Sequence, residues 1–225
     1  MSKPHIQMRI IAMTNEGQLP MMKNMLNSAS KSGWPMDLFH CYVLSSNKEL
    51  AAYNTTEFQS ITLRKLELIL ENMRMDSEVL WIDNDIYLFE NAIQHMRSFQ
   101  GHFVMQDDIW GPCTGFFLVR STIASIRAIE KTIQTVRSQV GKNIMNDQHA
   151  FVKVYKSILG LRVSLLPQEL YPNGDVYFDK DIKSTAKMVH NNYLINTDEK
   201  VARFKKHNLW DESDTGFLQT KRYSI

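Results

Sequence analysis

The chain is short of several things, and each shortage removes a class of protein. It has two cysteines, Cys41 and Cys113, in 225 residues. Two thiols cannot build a disulfide framework and show no metal-ligand spacing, so both read as buried thiols in a reducing compartment. No apolar run reaches the roughly 18 residues that a membrane-crossing helix needs. The opening Met1-Ser2-Lys3-Pro4-His5 has no signal-peptide character and leads straight into a strand-like segment. The expected setting is therefore cytoplasmic, with no intrinsic membrane span. Asn54-Thr55-Thr56 fits a glycosylation sequon, which without secretion has no consequence. Neither sign of charge dominates: Lys+Arg number 26 and Asp+Glu 24, for a net charge of +2. The basic residues form no stripe, which argues against a nucleic-acid face or a polybasic membrane patch. Glycine (9) and proline (6) form no repeat, linker or low-complexity tract.

What remains is an ordinary globular composition, 44% hydrophobic and 22% charged, long enough for a sizeable core. Ile6, Met8 and Ile10 alternate ahead of Ile11-Ala12-Met13, which predicts a first strand. Leu19, Met22, Leu26 and Ala29 recur at helical spacing and stop at Gly33. Residues 38–44 read as a strand, the Leu63, Leu66, Leu70, Met73 stripe as a helix, and Val79–Ile82 as a strand. Phe103–Met105 and Phe116–Val119 follow as strands. Ile123 to Val140 and Ala150 to Ile158 follow as amphipathic helices. Val163–Leu166 and Met188-Val189 are short strand candidates, and Val201, Phe204 and Leu209 suggest a closing helix. This order predicts a single α/β/α sandwich with a mostly parallel central sheet and a polar tail over 211–225.

One stretch stands apart. Val79-Leu80-Trp81-Ile82 is an apolar run of the kind buried on both faces, and it ends in Asp83-Asn84-Asp85. Two carboxylates beside a buried strand are costly unless a cation accompanies them. Mg²⁺ and Mn²⁺ take oxygen ligands and bridge to phosphates. Open α/β sheets place ligands at the carboxyl ends of their strands. In extended backbone Asp83 and Asp85 point to one side. They could share one cation, or one could hold it while the other reaches a ribose hydroxyl. A second pair, Asp179-Lys180-Asp181, follows no apolar strand and reads as a solvated turn.

Three further segments carry candidate chemistry. Gly111-Pro112-Cys113-Thr114-Gly115 precedes a strand, where glycine lets backbone approach a ligand or simply makes a tight turn. Asn146-Asp147-Gln148 opens a helix, as an N-cap or as sugar-facing groups. In Val189-His190-Asn191-Asn192-Tyr193 an apolar strand ends in a histidine, a reasonable ligand position for Mn²⁺.

Taken together and in order, these segments resemble the nucleotide-diphospho-sugar transferase family of GT-A glycosyltransferases. The matching residues are Val79–Asp85, Cys113–Thr122, Asn146–Phe151, Leu166–Gly174 and Val189–Tyr193. Lys200, Phe204 and Leu209-Trp210 lie behind them, so the likeness covers roughly residues 6–210. It implies a GT-A fold with a nucleotide-binding half (about 1–110) and an acceptor-binding half (about 111–210). It implies a metal-dependent transferase that moves a sugar from a nucleoside diphosphate sugar, by family habit a UDP-sugar, to a hydroxyl of a glycan or glycoconjugate. Asp83, Asp85 and His190 would hold Mn²⁺ or Mg²⁺. Asp83, Asn84, Lys65, Thr114, Gly115, Gln148 and Lys200 would bind the donor. If the reaction inverts the anomeric centre, Asp147 would take the acceptor's proton, with Asp107 or Asp108 behind it; if it retains configuration, Asp147 would position the sugar.

The chain departs from the family pattern at Asn84, where a small residue is common, and at Ile195-Asn196-Thr197, where a glycine often follows the histidine motif. Most eukaryotic members carry a membrane anchor, so the expected origin is cytosolic, bacterial or viral, and the expected unit a monomer or homodimer. Two rivals share parts of the pattern. A haloacid-dehalogenase-like phosphatase also uses Asp-x-Asp after a buried strand, but wants Thr or Val where Tyr87 or Leu88 stands. A non-catalytic nucleotide-sugar-binding protein would use the same fold.

Overall fold

A computed structural model describes residues 7–45, 55–140, 145–180, 185–211, 213 and 220–224. Of the residues used above, Met1–Ile6, Asn54, Asp181 and part of the 211–225 tail lie outside these. In chain order the elements are β1 (Met8–Asn15), α1 (Leu19–Lys31), β2 (Phe39–Ser45), α2 (Thr56–Met73), β3 (Glu78–Ile82) and β4 (Ile86–Leu88). Then come α3 (Ile93–Ser98), β5 (Phe103–Asp108), β6 (Gly111–Arg120), α4 (Ile123–Gln139), α5 (Asp147–Tyr155), β7 (Val163–Leu166), β8 (Met188–His190), α6 (Thr197–Lys206) and β9 (Thr220–Ser224).

Among the described residues, seven strands form one sheet in the order β7-β5-β6-β3-β1-β2-β9. All neighbours run parallel except β6, which is antiparallel to both β3 and β5. Both faces are covered, and the strand period decides which side chain goes where. Ile10, Ala12, Leu80, Ile82, Val104, Phe116 and Leu118 pack with Met22, Met25, Leu26 and Ala29 of α1. Ile11, Met13, Val79, Trp81, Phe103, Phe117 and Val119 pack with α2, α4 and α5. β1, β3, β5 and β6 therefore alternate between two cores, and β3 is buried at every position.

Local chemistry sets the element ends. Thr55 caps α2 by accepting from Phe58 N–H, and Thr122 and Ser125 form a reciprocal capping box on α4. Gly33 adopts φ 74° just past α1, and Trp34 N–H returns to Ala29 O at 3.0 Å, a glycine-terminated helix end.

Several predicted boundaries move. Gly111–Gly115 is not a loop before a strand: it lies within β6, and the turn sits at Ile109-Trp110. The sequence reads as a turn because two glycines and a proline are poor strand formers, but here the strand is held between two neighbours. Leu38 ends a short 3₁₀ turn and β2 starts at Phe39; α5 ends at Tyr155 rather than near Ile158. Asp179 closes a π-helical turn, and Lys180 at its end pairs with Asp175 at 2.7 Å. β4, α3 and β9 have three to six residues each, too short for periodicity to announce them, whereas the expected Met188-Val189 strand is present as β8.

Candidate active site

The strands place the motifs together for topological reasons. β3 ends at Ile82, so Asp83–Asp85 project from the carboxyl edge of the sheet. Because β6 runs antiparallel, its beginning lies beside the end of β3: Ile82 pairs with Phe116, and Asp83 N–H donates to Gly115 O at 2.8 Å. The β4–β8 ribbon pairs Ile86 with His190, and Asn191 N–H donates to Asp85 O at 2.9 Å. The N-terminus of α5, capped by the Asn146 side chain accepting from His149 N–H at 2.9 Å, delivers Asp147 and Gln148. These residues line a cleft of about 590 Å³, large enough for a small organic ligand.

Carboxylate oxygens of Asp83 and Asp85 and a ring nitrogen of His190 lie within 4.8 Å of one another. His190 Nε2 is 3.2 Å from Asp85 Oδ1, and Lys200 Nζ is 2.6 Å from Asp85 Oδ2. Burial alone would raise the Asp85 carboxyl, but Lys200 and His190 outweigh it and hold it well below the usual carboxylate range. Burial alone would lower His190, but the Asp85 carboxylate outweighs it and holds the imidazole well above its ordinary value. Asp83 is shifted up, chiefly by burial, against the pull of Lys65 and with the push of Asp85. The donor set, two carboxylate oxygens and one imidazole nitrogen, suits Mn²⁺ or Mg²⁺.

A second buried ion cluster adjoins it. Lys65 Nζ lies 3.1 Å from Asp83 Oδ1 and 2.9 Å from Asp147 Oδ2, and 5.1 Å from the centre of the Trp81 ring. Trp81 Nε1 donates to the same Asp83 oxygen at 2.6 Å. Lys65 thus balances two acids from the back of the site. Asn84, expected at the donor, lines the cleft and donates to Thr14 Oγ1 (3.0 Å) and Gln18 Oε1 (2.9 Å), which line it too.

A third group surrounds Asp108. Its oxygens accept from Gln148 Nε2 (3.2 Å), Asn173 Nδ2 (3.2 Å), Ile109 N–H (2.9 Å) and the Tyr193 hydroxyl. Gln148 Oε1 in turn accepts from Thr114 N–H at 3.4 Å. Asp107 does not line the cleft. Tyr193 has φ 62°, unusual for an aromatic residue, and is 45% exposed at the mouth of the cleft. Its hydroxyl is pushed up, chiefly by burial, with Asp108 adding to the shift.

Sequence reasoning missed Thr14, Gln18, Gln106, Asn173 and Tyr193 as members of this site. One signal was available for Gln106: a lone amide in the otherwise apolar run Phe103-Val104-Met105, directly before two acids.

Gly115 is required for space rather than for φ. A Cβ there would lie 2.3 Å from His190 Cε1 and 2.8 Å from Asp83 Oδ2. Gly115→Ala is expected to destabilise the fold by about 1–3 kcal/mol through overpacking and to disperse the converging atoms of Asp83, Asp85 and His190. Isothermal titration with Mn²⁺ checks it: affinity equal to that of the unsubstituted protein would contradict this reading of Gly115.

A mostly parallel α/β/α sandwich with this acidic motif at the tip of a central strand is the GT-A fold of glycosyltransferases. Solved structures agree. The glycosyltransferase GlyE of Streptococcus pneumoniae TIGR4 superposes with a TM-score of 0.58 at 12% identity, over 92% of this chain and 62% of that one. A glycosyltransferase involved in glycosylation of the major capsid of PBCV-1 gives 0.59 at 14%, over 89% and 99%. Galactosyltransferase LgtC, solved with donor and acceptor sugar analogues, gives 0.58 at 12%, over 93% and 100%. At these identities the likeness is one of fold.

The model of the nucleotide-diphospho-sugar transferase family matches residues 24–204, and the chain belongs to that family. UDP-galactose:fucoside alpha-3-galactosyltransferase of Dictyostelium discoideum is 26% identical over 85% of this chain and 34% of its own length. UDP-D-xylose:L-fucose alpha-1,3-D-xylosyltransferase 3 of Arabidopsis thaliana is 22% identical over 70% and 49%. The chain thus spans half or less of the length of these two relatives. Among the described residues, no helix is long and apolar enough to cross a membrane.

Proposed function

We propose that this chain transfers a sugar from a nucleoside diphosphate sugar to a hydroxyl of a glycan or glycoconjugate, with Asp83, Asp85 and His190 holding Mn²⁺ or Mg²⁺. The convergence of those three side chains with Lys200 in one cleft is the observation that carries the reading. When bound, the dication supplies positive charge that offsets the charge developing on the departing diphosphate. Lys200 is placed to add a second positive contact on the same side. The relatives named for UDP-sugars make uridine the preferred base. The first half of the chain would hold the nucleotide, and Thr114, Gly115, Gln148 and Tyr193, from the second, would surround the sugar.

Of the two roles open to Asp147, we infer the positioning one. Asp147 is buried against Lys65, and both oxygens of Asp108 already accept hydrogen bonds. Both line the cleft, and each is already engaged by a neighbouring side chain. We read Asp147 as a positioning group that keeps Lys65 and Asp83 in place, and Asp108 as the hub that orients Gln148 and Tyr193. This arrangement suits retention of configuration better than inversion.

The test is a thermal-shift panel of nucleotide sugars with and without Mn²⁺, followed by transfer assays with the donor that binds. A ligand at about 100 times its dissociation constant adds about 2.7 kcal/mol to stability, so one donor should stand out, and only with the cation. No shift with any nucleotide sugar would overturn the proposal. Cation-dependent binding with neither hydrolysis nor transfer would instead favour a non-catalytic binding protein.

The metal should also be pH-linked. His190 must be neutral to ligate, and its folded-state value is raised. Protons therefore compete below that value, and Mn²⁺ affinity is expected to fall as pH drops, with about one proton released per ion bound near neutrality. Calorimetry in buffers of different ionisation enthalpy measures that release; zero protons would remove His190 from the ligand set.

A further inference from the structure

Gln106 is fully buried, at 0% exposure, where the register between β5 and β6 breaks. Such breaks re-aim side chains beside sites. Its Nε2 donates to the backbone carbonyl of Tyr171 at 3.1 Å. A carbonyl can only accept, so the orientation of the amide is settled: the NH₂ faces Tyr171 and Oε1 faces away from it. Oε1 lies 2.9 Å from Nδ1 of His190. An amide oxygen also only accepts, so Nδ1 must carry the hydrogen. Cys113 Sγ competes for the same nitrogen at 3.7 Å, but a thiol sulfur is a weak acceptor and is farther away. In the neutral ring, Nε2 is then a bare lone pair directed at Asp85 Oδ1, 3.2 Å distant. Those two atoms are satisfied by a proton on Nε2, or by a dication that takes the proton's place while Nδ1–H stays on Gln106.

The far end of this relay is rigid. Tyr171 is fully buried, and its N–H donates to Pro167 O at 2.9 Å. Its ring stacks on His95, whose Nδ1 is 2.7 Å from the Tyr171 hydroxyl.

We propose that Gln106 is a positioning residue that locks His190 in the Nδ1–H tautomer and so reserves Nε2 for the dication shared with Asp83 and Asp85. This rests on the metal site proposed above. The general pattern is that a ligating histidine donates its other N–H to a fixed acceptor, and that loss of such an acceptor weakens metal binding about 10–100-fold.

The test has two readouts, neither of them turnover. The first is the ¹⁵N NMR of the His190 ring in metal-free protein at a pH above its titration. The second is Mn²⁺ affinity by calorimetry. The unsubstituted protein should show the Nδ1–H form. Gln106→Leu should lose the single-tautomer pattern and bind Mn²⁺ about 10–100-fold more weakly. Gln106→Glu, which keeps an acceptor at Nδ1, should retain the tautomer and stay within a few-fold in affinity. An Nε2–H ring in the unsubstituted protein, or a Gln106→Leu variant unchanged in both readouts, overturns the proposal. If Gln106→Leu does not fold, the unsubstituted ring and Gln106→Glu decide: tautomer loss in Gln106→Glu also overturns it. A locked Nδ1–H ring that Gln106→Leu releases, in a protein that takes up no Mn²⁺, would sink the metal site and leave the tautomer lock standing.

Discussion

Asp85→Ala is expected to reduce sugar transfer by a factor of about a thousand or more, on the scale of removing a preorganised charge-stabilising group from a site shielded from water. Asp85 is 5% exposed and sits between Lys200 and His190. Its carboxylate is therefore both a ligand in the proposed metal site and the counter-charge beside Lys200 and His190. Removing one partner of a buried ion pair costs about 3–5 kcal/mol, so the metal-free variant should also melt lower. The two effects separate experimentally: turnover is measured at a temperature where circular dichroism shows the variant folded, and Mn²⁺ binding is titrated alongside. Transfer at the level of the unsubstituted protein would end the assignment of this motif. Acid should act in the same direction on stability. A carboxyl held below its unfolded value stabilises fully above that value and ceases to do so as pH falls through the folded one. The metal-free protein should thus lose the Asp85 contribution on acidification, progressively below about pH 5.

The second large effect is at Lys65, which is 6% exposed and lies between Asp83 and Asp147. Lys65→Met keeps the length of the aliphatic stem and deletes the charge. Two carboxylates are then left facing each other below the surface. The expected loss is about 3–5 kcal/mol. At this chain length that corresponds to a fall of roughly 2–4 °C in Tm per kcal/mol. Adding Asp147→Asn to Lys65→Met should recover part of the loss, because one of the stranded charges disappears with it. A double-mutant cycle reads the coupling: strictly additive single changes, within about 0.5 kcal/mol, would mean that the ion cluster contributes nothing beyond its separate parts. Mn²⁺ should rescue Lys65→Met more than it stabilises the unsubstituted protein, because the ion supplies charge beside Asp83.

Much of this architecture could be read from the chain. The Val79–Ile82 run and the helical stripes of α1, α2 and α4 are period signals that tertiary context did not alter, because both faces of the sheet demand apolar residues. Segments that break those rules were misread or missed. Gly111–Gly115 looks like a turn and is a strand, since flanking strands supply the pairing that its residues do not favour. Asn84 lies between the two acids in a turn after β3, and its bonds to Thr14 and Gln18, some 70 positions earlier, could not be inferred from the motif alone. The Lys65 partner of Asp147, 82 positions earlier in the numbering, could not be inferred from either segment alone.

The layered α/β plan and the chemical inventory are written in the chain's local patterns: two acids after a buried strand, a late histidine, and amides and a lysine to accompany them. Periodicity and residue chemistry are local, so a single chain displays them. Which groups meet was decided only in three dimensions. The reversal of β6 brings Gly115 against Asp83, the short β4–β8 ribbon sets His190 beside Asp85, and a buried amide chooses which nitrogen of that histidine faces the acids. Those are contacts between residues far apart in the chain, governed by strand direction, charge balance and hydrogen-bond polarity, and no local pattern encodes them.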